Sequence, residues 1–242
     1  FFDSVSHIMF KITNYVMAFS PFGVFGAIAA VVAHQGLGIL MNYVYLIFSF
    51  YTGLLIFIFV ILFGVCVAFK IKFFHLLAHI KEPILLAFST ASSEAAMPKT
   101  IESLERFGCG NRIVSFVLPL GYSFNLDGSM MYITFATVFI AQAYGIEMSV
   151  GDQVVMLLIL LVTSKGMAGI PRASLVIIAG TLDHFHIPVA GILLLLGIDQ
   201  ILDMGRSATN VVGNAVATAV ISKWEGETQV QAVSDIDQLN LN

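Results

Sequence analysis

Charge is what this chain has least of. Of its 242 residues, 11% are Asp, Glu, Lys or Arg, where a soluble domain carries about 25%. Apolar residues make up 58%. That balance excludes an ordinary water-soluble domain and points to an integral membrane protein with several spans, whose solvent is the bilayer. Runs of positive charge are missing as well. The net charge is −4 and no stretch is polybasic, which argues against nucleic acid as a partner. Cysteine is scarce. Cys66 lies in an apolar span and Cys109 in a basic loop, a spacing that suggests neither a disulfide nor a metal site. The first residue is Phe1, with no methionine and no signal-like basic n-region, so the chain reads as the C-terminal part of a longer protein.

What polarity there is falls in an unfavourable place. Asp199, Asp203, Arg206, Asn210 and Asn214 lie inside a long apolar segment, from about residue 192 to residue 221. Their spacing is i, i+4, i+7, i+11 and i+15, a single stripe along one helix face. A charge at the centre of a bilayer costs roughly 2.5–3.5 kcal/mol on insertion scales. Two acids and an arginine therefore need protein, water or a ligand beside them, which makes the stripe the first candidate for a functional site.

The apolar segments are about residues 8–34, 39–69, 84–97, 113–143, 154–181 and 188–222. All but the third can cross roughly 30 Å of hydrocarbon. Lys and Arg cluster between Lys70 and Lys81 and again between Lys99 and Arg112, and the positive-inside rule puts both loops in the cytoplasm. The segment between them thus has two cytoplasmic ends and reads as a re-entrant hairpin (73–109) that opens inward. The span after it (113–145) carries a polar break at Asn125-Leu-Asp127-Gly128, with Gly121 and Gly128 read as residues that permit unwinding. The loop from Gly145 to Asp152 is acidic and external. A second hairpin (150–185), entering from outside, lets the final helix (188–222) end inside beside Lys223. Each half then has a Ser-containing hairpin with a late proline, Pro98 or Pro171. Each hairpin precedes a span with a mid-membrane polar break, the second at Asp203-Met-Gly-Arg206. Inverted repeats of this kind are the architecture of many secondary transporters. The division is two transmembrane helices (1–72), a transport core (73–226) and a polar cytoplasmic tail (227–242).

Each polar feature has a functional reading and a structural one. Arg206 is a planar five-donor fork able to hold a carboxylate, and Asp203 is an acceptor for an ammonium. Alternatively, the two pair with one another. Ser92-Ser93 and the stretch 166–169 sit at hairpin tips, where freed backbone groups attract ions; alternatively, small residues there permit close packing. Asp127 with unwound carbonyls would make an all-oxygen cation site; alternatively, it caps a half-helix. Glu94, Asp127 and Asp199 are candidates for carrying a proton. His7, His34, His75, His79, His184 and His186 read as boundary residues, and Trp224 as an interfacial anchor.

The motifs Ala91-Ser-Ser-Glu-Ala-Ala-Met-Pro98, Asn125-Leu-Asp-Gly128, Gly166-Met-Ala-Gly-Ile-Pro171 and Asp203-Met-Gly-Arg206 followed by Asn210 resemble those of the dicarboxylate/amino acid:cation symporter family, in order and at matching separations. The resemblance runs from about residue 5 to Gly226. It implies an elevator-type secondary transporter that assembles as a homotrimer. It also implies roles. Arg206 and Ser129 would hold a side-chain carboxylate, and Asp203 and Ser207 an α-ammonium. Asn210 with Ser92 and Ser93 would hold the α-carboxylate, with Ile170 at an outer gate. One cation site would use carbonyls at Gly121, Asn125 and Asn210 and the side chain at Asn214. Another would use carbonyls at Ser123, Ser164, Lys165 and Met167, and a third Asp127 and Asn125.

Four departures from the family pattern stand out. Asn214 replaces a carboxylate, the second hairpin reads Ser164-Lys165-Gly166, Arg172 adds a charge near the outer tip, and Ile133 stands where animal members carry Glu. The expectation is an all-α, multi-pass protein of the bacterial inner membrane with a cytoplasmic C-terminus. It would carry glutamate or aspartate together with H⁺, Na⁺ or both, with no cofactor and no metal other than Na⁺. Transport of C4-dicarboxylates is the nearest alternative; an amino acid is preferred because a buried Asp203 would repel a substrate that lacks an ammonium. A more distant one is an intramembrane hydrolase using Ser164 or Ser92 with Lys165. Against it, adjacent helix residues such as Ser164 and Lys165 do not face each other, and there is no Gly-x-Ser-x-Gly. A passive anion channel would show flux without cation dependence.

Overall fold

The computed structural model describes residues 11, 15, 19–165 and 172–227, and all regular structure among them is helical. In chain order the helices are α1 (Ser20–Gln35), α2 (Gly38–Ala68), α3 (Phe73–His79), α4 (Lys81–Thr90), α5 (Met97–Phe107), α6 (Asn111–Phe124), α7 (Asp127–Ala143), α8 (Val150–Thr163), α9 (Ala173–His184) and α10 (Asp199–Trp224). A 3₁₀ stretch, Val189–Leu194, precedes α10. Two stretches of the described residues are long and apolar enough to cross a membrane, Gly38–Ala68 and the pair α6–α7 over Asn111–Ala143.

Local chemistry sets the ends. Pro21 opens α1 and Pro98 opens α5, where a missing N–H costs nothing. Gly36 and Gly108, both at positive φ, close the same two helices. α8 starts on a capping box: the Ser149 hydroxyl accepts from the Asp152 N–H while Asp152 accepts from the Ser149 N–H. α2 contains a π-helical turn, Phe57–Leu62. It ends at Ala68, and two residues on the Lys70 carbonyl accepts from the Lys223 ammonium at the far end of α10.

α10 is the axis. It packs against α2, α4, α5, α6 and α7, and its stripe residues are at most 1% exposed. One apolar cluster, around Phe50, Tyr132 and Ile140, meets α10 at Leu202 and at Ile198 just before its start. A second, around Cys66, Leu76 and Leu118, meets it at Val212, Ala215 and Val216. The residues between, from Asp203 to Asn210, form a polar layer sandwiched by apolar packing. The outward faces of α2 and α8 remain apolar and open: Val44, Tyr45, Phe48, Val154, Leu158 and Val162 are exposed.

Several expectations are corrected. The final span is not one helix over 188–222: it begins as a 3₁₀ stretch and becomes α-helical at Asp199. Nor is there a break at Asp203-Met-Gly-Arg206, because α10 is continuous there. The polar side chains find partners on each other and on neighbouring elements, so the backbone has no reason to unwind. The interruption in α6–α7 is present, at Asn125 and Leu126, but its glycines do other work. Gly121 lies within α6 and Gly128 within α7. A Cβ at Gly121 would overlap the Asn214 side chain, and one at Gly128 the Arg206 carbonyl. Both are required by the approach of α10. The segment 84–97 is two elements: α4 ends at Ala91, left-handed at φ 50°, and a turn leads to α5. The segment 154–181 is interrupted as well, with α8 starting earlier, at Val150, and α9 following from Ala173.

Candidate functional site

Arg206 is the largest fully buried side chain of the described residues. Its Nε donates to Asp203 Oδ1, one turn earlier on α10, and its Nη1 donates to Ser129 Oγ on α7 at 2.8 Å. The other oxygen of Asp203 accepts from the Arg172 backbone N–H at 2.8 Å, just before α9. Asp203 therefore has a donor on each oxygen and no exposure. The expected alternative, an internal Asp203–Arg206 pair, is present. It is extended by two further elements.

A second carboxylate lies one turn below. Asp199 Oδ1 accepts from the Tyr132 hydroxyl at 2.5 Å, and Oδ2 faces Arg172 Nε at 3.4 Å. Two acids are thus matched by two arginines, and the cluster carries no net charge. That neutrality answers the insertion cost that made the stripe conspicuous.

Asn210 plays a part that the sequence does not suggest. α7 lacks a side-chain cap of its own. Asn210 Oδ1 accepts from the N–H groups of Gly128 (2.9 Å) and Ser129 (3.3 Å), and its Nδ2 donates to Ser129 Oγ at 3.0 Å. It caps the second half-helix from across the interface. Capping by Asp127 is corrected accordingly: Asp127 is the first residue of α7, packed against Gly213, where a Cβ would overlap it. Asn125 Nδ2 donates to Asn214 Oδ1 at 3.3 Å. Lys165 Nζ donates to the Phe124 carbonyl at 2.6 Å.

The structure brings together Ser129, Asp203, Arg206 and Asn210 as one hydrogen-bonded unit, with Asn125 and Asn214 one turn beyond. Gly121 sits against Asn214, and Ser123 is exposed at the end of α6. The tip where α4 turns into α5 reaches the same helix: Ala87 and Ala96 pack on Val211. At that tip Ser92 Oγ accepts from the Ala95 N–H. Ser93 Oγ, Ser207 Oγ and Asn214 Nδ2 are buried with no hydrogen-bond partner among the described residues. Glu94 is half-buried at the tip and Ser164 buried at the end of α8. Met167 and Ile170, with the rest of 166–171, lie outside the described residues, as do His7 and the tail beyond residue 227. Tyr132 and the double engagement of Arg172 are the additions. Tyr132 lies three residues from Ser129 on the same face of α7, a signal the sequence carried; nothing in the sequence placed Arg172 on two acids.

The family model described as "Sodium:dicarboxylate symporter family" matches residues 1–224. The chain belongs to that family. It is 48% identical over 227 residues to the "Proton/sodium-glutamate symport protein" of Bacillus caldotenax, covering 94% of this chain and 54% of that protein. Against the "Proton/glutamate-aspartate symporter" of Escherichia coli (strain K12) it is 45% identical over 224 residues, 93% of this chain and 51% of that protein. The "C4-dicarboxylate transport protein" of Bacillus subtilis (strain 168) is 40% identical over 228 residues, 94% of this chain and 54% of that protein. The chain spans about half the length of the curated relatives it matches. Membership of that family implies a membrane protein, in keeping with the all-helical fold of the described residues and their two long apolar stretches.

Proposed function

We propose that this chain is the substrate-carrying part of a symporter for glutamate or aspartate, coupled to H⁺, Na⁺ or both. The observation that carries the reading is the Asp203–Arg206 pair, fully buried and held in a neutral cluster by Arg172 and Ser129. An acidic amino acid supplies both halves of such a pair. Its side-chain carboxylate takes Arg206, its ammonium takes Asp203, and the site's charge balance survives the exchange. The α-carboxylate goes to Asn210 and the tip at Ser92 and Ser93, and Ser207 lies one residue from Arg206 to assist. Cations bind around Gly121, Ser123, Asn125, Asp127, Ser164 and Asn214, and Glu94, Asp127 and Asp199 are the carboxylates available to a proton.

In this reading α4 with α5, and α8 with α9, are oppositely oriented re-entrant hairpins. Residues 73–226 move as an elevator-type transport core against a scaffold that includes α1, and the whole protein is a homotrimer in a bacterial inner membrane with its C-terminus in the cytoplasm. The names of the glutamate-carrying relatives support the substrate class. The test is accumulation of radiolabelled aspartate by proteoliposomes holding the full-length protein, with Na⁺ and pH gradients imposed separately. Accumulation under at least one gradient is expected; accumulation under neither sinks the reading.

One observation favours a second reading, a C4-dicarboxylate as substrate. Both oxygens of Asp203 already have donors within the chain, so an ammonium is not needed to satisfy it. Competition by succinate together with unimpaired uptake in Asp203→Asn would select that reading.

A further inference from the structure

α6 stops at Phe124, midway along the apolar stretch 111–143, and α7 begins at Asp127. A helix that ends there presents its last carbonyls and the negative end of its macrodipole, about −0.5 of a charge, to the membrane interior. Such an end attracts a cation. The chain itself provides one. Lys165, just past the end of α8, reaches over so that its ammonium donates to the Phe124 carbonyl at 2.6 Å. The Asp127 carboxylate is within electrostatic reach of the same ammonium. From α10 the break is faced by Gly213, which has no side chain, and by the neutral amide of Asn214, bonded to Asn125. Among the described residues, Lys165 is thus the cationic group at the break, beside the carboxylate of Asp127.

We propose that the Lys165 ammonium is a tethered cation occupying the place that a diffusible monovalent cation would take at this break, and that Lys165 thereby sets the ion specificity of the protein. The inference rests on the symport reading above. An ammonium and Na⁺ carry the same charge and both seek carbonyl oxygen. Held about 4 Å apart in surroundings of intermediate dielectric, two such charges repel strongly enough to weaken binding about a thousandfold. With Lys165 in place, Na⁺ is kept from the break, so that of the cation positions proposed above the one at Asn125 and Asp127 is filled by the ammonium. With a neutral side chain there, the carbonyl end and Asp127 are left for Na⁺.

The test uses the full-length protein in detergent, comparing wild type with Lys165→Gln, Lys165→Met and Lys165→Arg. Melting is followed against NaCl and against choline chloride at matched ionic strength. The two neutral variants are expected to gain a Na⁺-specific stabilisation, half-maximal at a concentration at least about tenfold below any seen in wild type. Lys165→Arg, which keeps the charge, is expected to behave as wild type does. Na⁺ sensitivity unchanged by neutralising Lys165 overturns the proposal. A measurement on wild type needs no variant to fold: acylation of Lys165 by an amine reagent, read by peptide mass spectrometry, should run equally fast in the two salts. Faster modification in NaCl would mean that Na⁺ displaces the ammonium, which also overturns it. Because these readouts are binding and reactivity, they stand apart from transport. Failure of the wild-type protein to accumulate aspartate under any gradient would sink the symport reading, whatever the melting curves show.

Discussion

Arg172 holds a backbone conformation that L-residues disfavour, φ 65° and ψ 4°. From it the N–H reaches Asp203 and the guanidinium reaches Asp199. The strain and the ion pair can be separated by substitution. Arg172→Gly removes the guanidinium but suits the left-handed backbone; Arg172→Ala removes the guanidinium and keeps the strain. The glycine variant should be the more stable of the two by about 1 kcal/mol, read from melting of the purified full-length protein. Equal stability would mean that the backbone there is not held as described. The Arg172 side chain is more than a third exposed, so the ion pair's direct contribution to stability is screened and small. Its larger effect should be on the charge state of Asp199, which has no exposure at all.

Helix ends and crossings govern the scale above. Ser149→Ala removes the hydroxyl that accepts from the Asp152 N–H at the start of α8. It should cost about 1 kcal/mol, with α8 fraying first in hydrogen exchange. Gly128→Ala is a sharper probe. Its new methyl would meet the Arg206 carbonyl on α10, a backbone atom that cannot turn aside. Overpacking of this kind costs roughly 1–3 kcal/mol, and here it also pushes apart Ser129 and Arg206, so substrate affinity should fall along with the melting temperature. Unchanged affinity would contradict the close α7–α10 crossing. The same scale shows what the sequence made legible. The stripe on α10 could be read because helix periodicity is local, and the interruption at Asn125 because Asn-Leu-Asp-Gly is poor helix sequence. The continuity of α10 through Asp203-Met-Gly-Arg206 could not, because it depends on Ser129 and Arg172 arriving from other elements. Nor could the function of Gly121 and Gly128. A glycine that permits a bend and one that admits a neighbouring helix look alike in a sequence; only the partner helix distinguishes them.

At the scale of the whole molecule, two apolar clusters clamp α10 at either end of a polar layer. That arrangement lets a membrane protein keep two acids and an arginine, Asp199, Asp203 and Arg206, fully buried. It also explains why the sequence could propose substrate residues but not their order of engagement: Asp203, Arg206, Ser129 and Asn210 are bonded to one another across α7 and α10. Under the proposed function, a substrate enters by replacing bonds the protein already makes. The central claim is that Arg206 is the carboxylate receptor at the heart of this layer. The direct measurement is calorimetric titration of aspartate into the detergent-solubilised full-length protein, wild type against Arg206→Lys, under the ion conditions that support uptake. Lysine keeps a charge for Asp203 but loses the planar fork. The account predicts that affinity falls by at least about tenfold while the protein still melts cooperatively. Aspartate binding of wild-type affinity to the Arg206→Lys protein would contradict it.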